Sequence, residues 1–300
     1  MHWWRTHRRT RRVVVSLLLL ALVGWAIWAS QITTRIDLWL HGEQPIQFYL
    51  SLDGDLLDDY SEVIVVAHNS GDRVTTTREA LAHGAEVIEI DVVSVSGGLY
   101  AAHAAPPPFI TRHIYQGPPL YSMWVAAAEA EAIKLDLKET SPRYVNLVIR
   151  FLTTHHTTDD ERRVIASTRN RYVLESIHTR APNVILLLSV GTPAQFDALT
   201  RDPALVEMID GVTIRHTLVD EERMMWLREN GLITFAWTVN DLSRTNELVK
   251  LGVNGITTDN LAIMELLGGR PNGEDQWTPD PDDEASDSDQ NSESTPDDED

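Results

Sequence analysis

Glu86-Val87-Ile88-Glu89-Ile90-Asp91-Val92 reads as a buried β-strand that ends in acid. Two other short apolar runs follow the same plan: Val63-Ile64-Val65-Val66-Ala67-His68 and Ile133-Lys134-Leu135-Asp136-Leu137-Lys138. Their end groups are costly to bury unless paired or bound to metal. Leu99-Tyr100-Ala101-Ala102-His103 comes soon after Asp91 and brings a second histidine.

Outward from these runs the pattern repeats. β-rich apolar runs recur at 63–67, 86–92, 133–137, 163–167, 184–189, 211–215, 232–238 and 253–257. Helix-like stretches lie between most of them, at 76–83, 143–153, 170–179, 193–200, 220–230 and 242–251. Eight strands alternating with helices predict an α/β chain folded as a parallel (β/α)8 TIM barrel over residues 61–268. A unit of about 207 residues sits at the small end of the usual range for that barrel. An open doubly wound sheet is the alternative, weakened because no Gly-rich phosphate loop follows the first strand.

The two ends of the chain differ from the middle. Arginines at 5, 8, 9, 11 and 12 precede an apolar run from Val13 to Ala29, softened only by Ser16 and Gly24. A membrane-spanning helix needs about 17–25 such residues. Residues 1–30 are therefore expected to form a basic cytoplasmic N-terminus and a transmembrane anchor, with the remainder outside. Trp25 and Trp28 sit where interfacial aromatics belong. A cleaved signal peptide is the competitor, but Ile27-Trp28-Ala29 lacks a small residue at its first position. Residues 31–60 read as a juxtamembrane connector, packed in part on the domain through residues such as Phe48 and Leu50.

Residues 269–300 read as a disordered acidic tail. The thirteen acids and one base of 270–300 account for −12 of the formal charge of −20, leaving −8 for the rest. Outside the N-terminus no basic stripe exists, so a nucleic-acid partner is not expected. The chain has no cysteine, which excludes disulfides, thiolate metal sites and a cysteine nucleophile.

Catalytic groups of such barrels sit at the C-terminal ends of the strands. Glu89 and Asp91 are two apart and point to the same side of their strand, as do Asp136 and Lys138. On neighbouring strands, Glu89, Asp91 and Asp136 can converge on one hard divalent cation, Mg2+ or Ca2+. His68 and His103 would flank it. That set suits metal-assisted cleavage of a phosphodiester: the cation and Lys138 offset phosphate charge, and the imidazoles act as acid and base. Taken singly, each group has a plainer reading as a structural histidine or solvated strand end. All six at strand ends in one half of a barrel are harder to explain that way. Trp237 is read as an apolar wall for a head group or as core packing. Ser167, Ser189 and Arg215 are read as rim contacts, Asp259 as a helix cap, and Arg112, His113, His155, His156, His178 and His216 as structural or surface residues.

These motifs resemble those of glycerophosphodiester phosphodiesterases, in the phospholipase-C-like phosphodiesterase TIM-barrel superfamily. The matching elements are His68 with Gly71, the 84–92 segment, His103, Asp136-Leu137-Lys138, Trp237-Thr238-Val239-Asn240 and the 252–259 segment. The resemblance implies a divalent metal on Glu89, Asp91 and Asp136, acid/base histidines His68 and His103, and substrate contacts from Lys138, Trp237 and Asn69. It is imperfect. Asn69 stands where the family has a phosphate-contacting arginine, and Asp136 replaces a longer glutamate. The His-Asn-Ser start, Ala102-His103 before prolines and Ile133-Lys134-Leu135-Asp136-Leu137-Lys138 are similar to the menorin family; the Asp-Leu-Lys segment also looks like that of spider-toxin phospholipase D. The expected function is a membrane-anchored, extracytoplasmic, metal-dependent phosphodiesterase acting on glycerophosphodiesters or lysophospholipid head groups. The alternatives are a phospholipase D-like lyase forming cyclic phosphates and an inactive menorin-like binding or adhesion module.

Overall fold

The computed structural model describes residues 63–103, 117–156 and 163–269, with 47–50 and scattered positions at 16, 18, 19, 52, 56, 57, 59 and 60. The predicted anchor and the predicted acidic tail lie outside the described residues, apart from those isolated positions and Gly269. Among the described residues no helix is long and apolar enough to cross a membrane.

Among the described residues nine strands form one sheet. They are β1 (Ile64–Ala67), β2 (Val87–Val95), β3 (Gly98–Ala101), β4 (Ala132–Leu137), β5 (Arg163–Thr168), β6 (Ile185–Val190), β7 (Gly211–Arg215), β8 (Ile233–Trp237) and β9 (Gly255–Thr258). Their order is β1-β9-β8-β7-β6-β5-β4-β2-β3, and an additional β1–β2 pairing closes the ring. All pairings within the ring are parallel, so eight strands make the expected barrel. The ninth, β3, is antiparallel to β2 and lies outside the ring. The predicted second strand, 86–92, therefore runs on to Val95 and turns back through Ser96-Gly97, both with positive φ, into a hairpin.

Parallel strands covered on both faces read as near-continuous apolar runs, which is why these eight are visible in the sequence. One set of side chains faces the helices. Ile88, Ile90 and Val92 join Val148, Leu174 and Ile177 in the main core. Each such fully buried side chain stabilises the fold by about 1.5–3 kcal/mol. The other set fills the barrel floor with Val66, Val87, Ala132, Ile165, Leu187 and Phe235.

Short polar turns lead from strand ends into the next helix. Ser141, Asn170, Thr192, Asp220, Asp241 and Asn260 each cap a helix N-terminus by accepting a backbone N–H. Each cap contributes about 1 kcal/mol and fixes the turn above the barrel mouth. Near the predicted connector's end, Phe48 exchanges backbone hydrogen bonds with Asp259 and Leu261, while the Leu50 side chain is exposed.

Candidate active site

Side chains two apart on a strand share a face. Moving two residues up from the apolar floor of the barrel reaches His68, Glu89, Lys134, Ser167, Ser189 and Trp237. All six line one cavity of about 480 Å³ at the C-terminal ends of the strands. The inner wall thus changes from apolar to polar within a single step along five of those six strands; on β8 the step is from Phe235 to Trp237.

The next inward positions carry the rest of the chemistry. Asp91 and Asp136 are register partners on β2 and β4, and Asp136 partners Ser167 on β5. Glu89, Asp91 and Asp136 each offer an oxygen, and these atoms lie within 4.8 Å of one another. Lys138 Nζ sits 2.9 Å from Asp91 Oδ1 and 2.5 Å from Asp136 Oδ2. Lys134 Nζ donates to Glu89 Oε1 at 2.8 Å, and both side chains are buried. Two ammonium groups therefore balance much of the negative charge that three close carboxylates would otherwise build up.

Both histidines are oriented in the same manner. His68 Nδ1 is 2.7 Å from Asp259 Oδ1, and His103 Nδ1 is 2.6 Å from Asp91 Oδ2. A carboxylate on Nδ1 holds the proton there and fixes the orientation of the ring. Asp259 is itself fixed by Asn240, whose Nδ2 donates to its Oδ2 and whose Oδ1 accepts its backbone N–H, each at 2.9 Å. Asp259 is therefore not the helix cap expected from the sequence. Asn260 has that role, accepting from the Ala262 N–H at 3.1 Å, while the inward direction of Asp259 turns its carboxylate to His68.

The electrostatics follow from these contacts. Burial pulls His68 down, but the Asp259 hydrogen bond and the charges of Glu89, Asp259 and Asp91 outweigh it, so His68 holds its proton above the ordinary imidazole range. Burial opposes ionisation of Asp91, yet the His103 hydrogen bond and Lys138 keep its carboxyl below the usual range. Asp72 accepts from the Asp91 N–H at 3.0 Å; burial, then the charge of Asp91, push its carboxyl well up. Lys138 is raised by Asp91 and Asp136 against its own burial.

The donor set fits a hard divalent cation. All three groups offer oxygen, and Glu89 Oε2 is a buried oxygen without a hydrogen-bond partner among the described residues. Asp91 Oδ1 has the Lys138 charge nearby but no hydrogen bond of acceptable geometry.

Of the residues singled out in the sequence, His68, His103, Glu89, Asp136, Lys138 and Trp237 line the cavity, with Asp91 fully buried beneath it. Asn69 does not line it; this residue adopts a left-handed turn (φ 50°) that starts a 3-10 turn over Ser70–Asp72. Ser167 and Ser189 line the cavity, whereas Arg215 packs its guanidinium 5.5 Å over the Trp237 ring. Arg112 and His113 lie outside the described residues. Sequence reasoning missed Asp259, Lys134, Thr213 and Arg169. The signal that finds them is strand parity: 257 to 259, 132 to 134, 211 to 213 and 167 to 169 all keep to the inward side.

Comparison with known proteins agrees with this architecture. Residues 126–263 match the model of the glycerophosphoryl diester phosphodiesterase family. No curated protein matches the sequence. A phosphodiesterase of Oleispira antarctica, solved with the product sn-glycerol-3-phosphate, is 18% identical with a TM-score of 0.58, over 68% of this chain and 96% of that one. A glycerophosphodiester phosphodiesterase of Parabacteroides distasonis is 15% identical with a TM-score of 0.55, over 70% and 98%. That of Thermotoga maritima is 14% identical with a TM-score of 0.54, over 68% and 98%. The family model covers less than half of the chain and the solved structures share its fold, so this chain is similar to glycerophosphodiester phosphodiesterases and has their barrel.

Proposed function

We propose that this chain is a metal-dependent phosphoric diester hydrolase acting on glycerophosphodiesters or lysophospholipid head groups. The observation that carries the reading is a cluster of three carboxylates suited to a cation, Glu89 and Asp136 lining one cavity and Asp91 beneath it, beside two carboxylate-oriented histidines. Glu89, Asp91 and Asp136 hold Mg2+ or Ca2+. When bound, that ion supplies Lewis-acid neutralisation of the phosphoryl oxygens. Lys138 adds positive charge at the same face of the substrate.

His68, kept protonated by Asp259, donates from Nε2 to the departing alkoxide oxygen. His103, oriented by Asp91, accepts the proton of the attacking hydroxyl. Trp237 forms the wall against the head group. The arginine-flanked apolar run at 13–29 supports anchoring to the cell membrane with the N-terminus cytoplasmic and the barrel outside.

The test is phosphorus NMR of the full-length chain in detergent with a panel of glycerophosphodiesters and lysophospholipids. A monoester that appears with Mg2+ or Ca2+ and not with chelator is the expected result. A cyclic phosphate would replace water by an internal hydroxyl as nucleophile. No turnover of any substrate would overturn the reading in favour of a binding module.

A further inference from the structure

We propose that Arg169, at the mouth of β5, binds a non-bridging oxygen of the substrate phosphate and so supplies the positive charge that Asn69 cannot. The inference rests on the phosphodiesterase reading above.

Three observations lead to it. The first is charge. The cavity is lined by three permanent cations, Lys134, Lys138 and Arg169. Lys134 is committed to Glu89, and Lys138 to Asp91 and Asp136. Arg169 has no acidic partner among the described residues and is exposed to the cavity. Among the described residues, a phosphodiester anion entering this mouth meets one uncommitted side-chain cation there.

The second is position. Asp136 and Ser167 are register partners, and Ser167 Oγ donates to Asp136 Oδ1 at 3.2 Å. Lys138 and Arg169 each stand two residues beyond that pair on adjoining strand ends. Both positions lie one step beyond the carboxylates toward the open end of the cavity; the Lys138 ammonium reaches back to the aspartates, while Arg169 does not.

The third is rigidity. Arg169 is held between the last residue of β5 and a helix cap. Thr168 Oγ1 accepts the Asn170 N–H at 3.3 Å, and Asn170 Oδ1 accepts the Val173 N–H at 3.2 Å. At the adjoining end of β6 the guanidinium lies beside Gly191 and Trp237: a Cβ at Gly191 would make ordinary van der Waals contact with Arg169 Nη2 and with Trp237 Cη2, each at 3.6 Å. An arginine fork in that place suits two phosphate oxygens.

The experiment is calorimetric titration of inorganic phosphate, and separately of sn-glycerol-3-phosphate, into the full-length protein with Mg2+. Wild type, Arg169→Gln, Arg169→Lys and Arg171→Gln are compared; Arg171 is a helix-surface residue paired with Glu175 and Asp202. Expected are at least a tenfold loss of affinity in Arg169→Gln, a smaller loss in Arg169→Lys and none in Arg171→Gln. Equal binding by wild type and Arg169→Gln, or no binding by wild type, would overturn the proposal. Turnover separates it from the reading beneath. A wild type that hydrolyses diesters while Arg169→Gln keeps its kcat/KM removes Arg169 alone. A wild type that binds phosphate through Arg169 but turns over nothing removes the hydrolase and leaves the anion site.

Discussion

His68 and His103 present the same geometry, each with Nδ1 tied to an aspartate. Replacing either by alanine removes one proton-transfer partner, which is worth about 10²–10⁴-fold in rate. Neither side chain belongs to the apolar core, so both variants are expected to fold, with a lower melting point where Asp259 or buried Asp91 loses its partner, while losing turnover; unchanged turnover would remove that residue from the mechanism. Asp259 acts on the rate through His68. Because the folded His68 is raised, its pair with Asp259 contributes stability that is fully present below the unfolded imidazole range near 6.5 and lost as pH rises through the folded value. Asp259→Asn is expected to move the His68 titration, followed by NMR of the ring protons, to lower pH. An unmoved midpoint would assign the raised value to Glu89 and Asp91 instead.

Elements explain what sequence could and could not convey. The eight barrel strands are legible because each is apolar on both faces, and the charged residues that interrupt them mark the mouth. β3 is harder to see: Gly98-Leu99-Tyr100-Ala101 is short, begins with glycine and has a strand on one side only, with a lone bridge from Tyr100 to Pro119 on the other. The partnership of His68 with Asp259 was hidden because it depends on β9 closing against β1, 191 positions away in the chain.

Lys134 was visible only as a polar residue in an apolar run. Its burial against Glu89 requires knowing that β2 and β4 are neighbours with those two residues in register. That pairing carries a prediction. Lys134→Met leaves Glu89 buried without its partner and should lower stability to urea by about 3–5 kcal/mol. Added Mg2+ or Ca2+ should recover part of the loss. A variant as stable as wild type without metal would show that Glu89 does not need the lysine. Gly71 makes the matching point for the turn above β2. A Cβ there would lie 2.3 Å from Ile90 Cγ1 and 2.8 Å from the Glu89 carbonyl oxygen. Gly71→Ala should therefore cost about 1–3 kcal/mol, read as a lower denaturation midpoint.

At the scale of the whole molecule, the apolar floor and the polar mouth of the barrel trade stability for a charged site. Bringing Glu89, Asp91 and Asp136 within 4.8 Å of one another is unfavourable until cations join them. Without a metal, Lys138 fills that need by reaching both aspartates. A divalent ion must then compete with an ammonium group already in place, and its binding is linked to folding. At a concentration about 100 times its Kd, such an ion stabilises the native state by about 2.7 kcal/mol. For a domain of this size that corresponds to roughly 5–10 °C in melting temperature. Wild type should show this rise with Mg2+ or Ca2+ and lose it with chelator, and Asp91→Ala should show no rise. Lys138→Met separates competition from coordination. With the ammonium gone the carboxylates repel one another unchecked, so the metal-free variant should melt below wild type, while the metal-induced rise should be larger. A smaller rise than in wild type would mean that Lys138 helps to assemble the cation site rather than standing in for the ion.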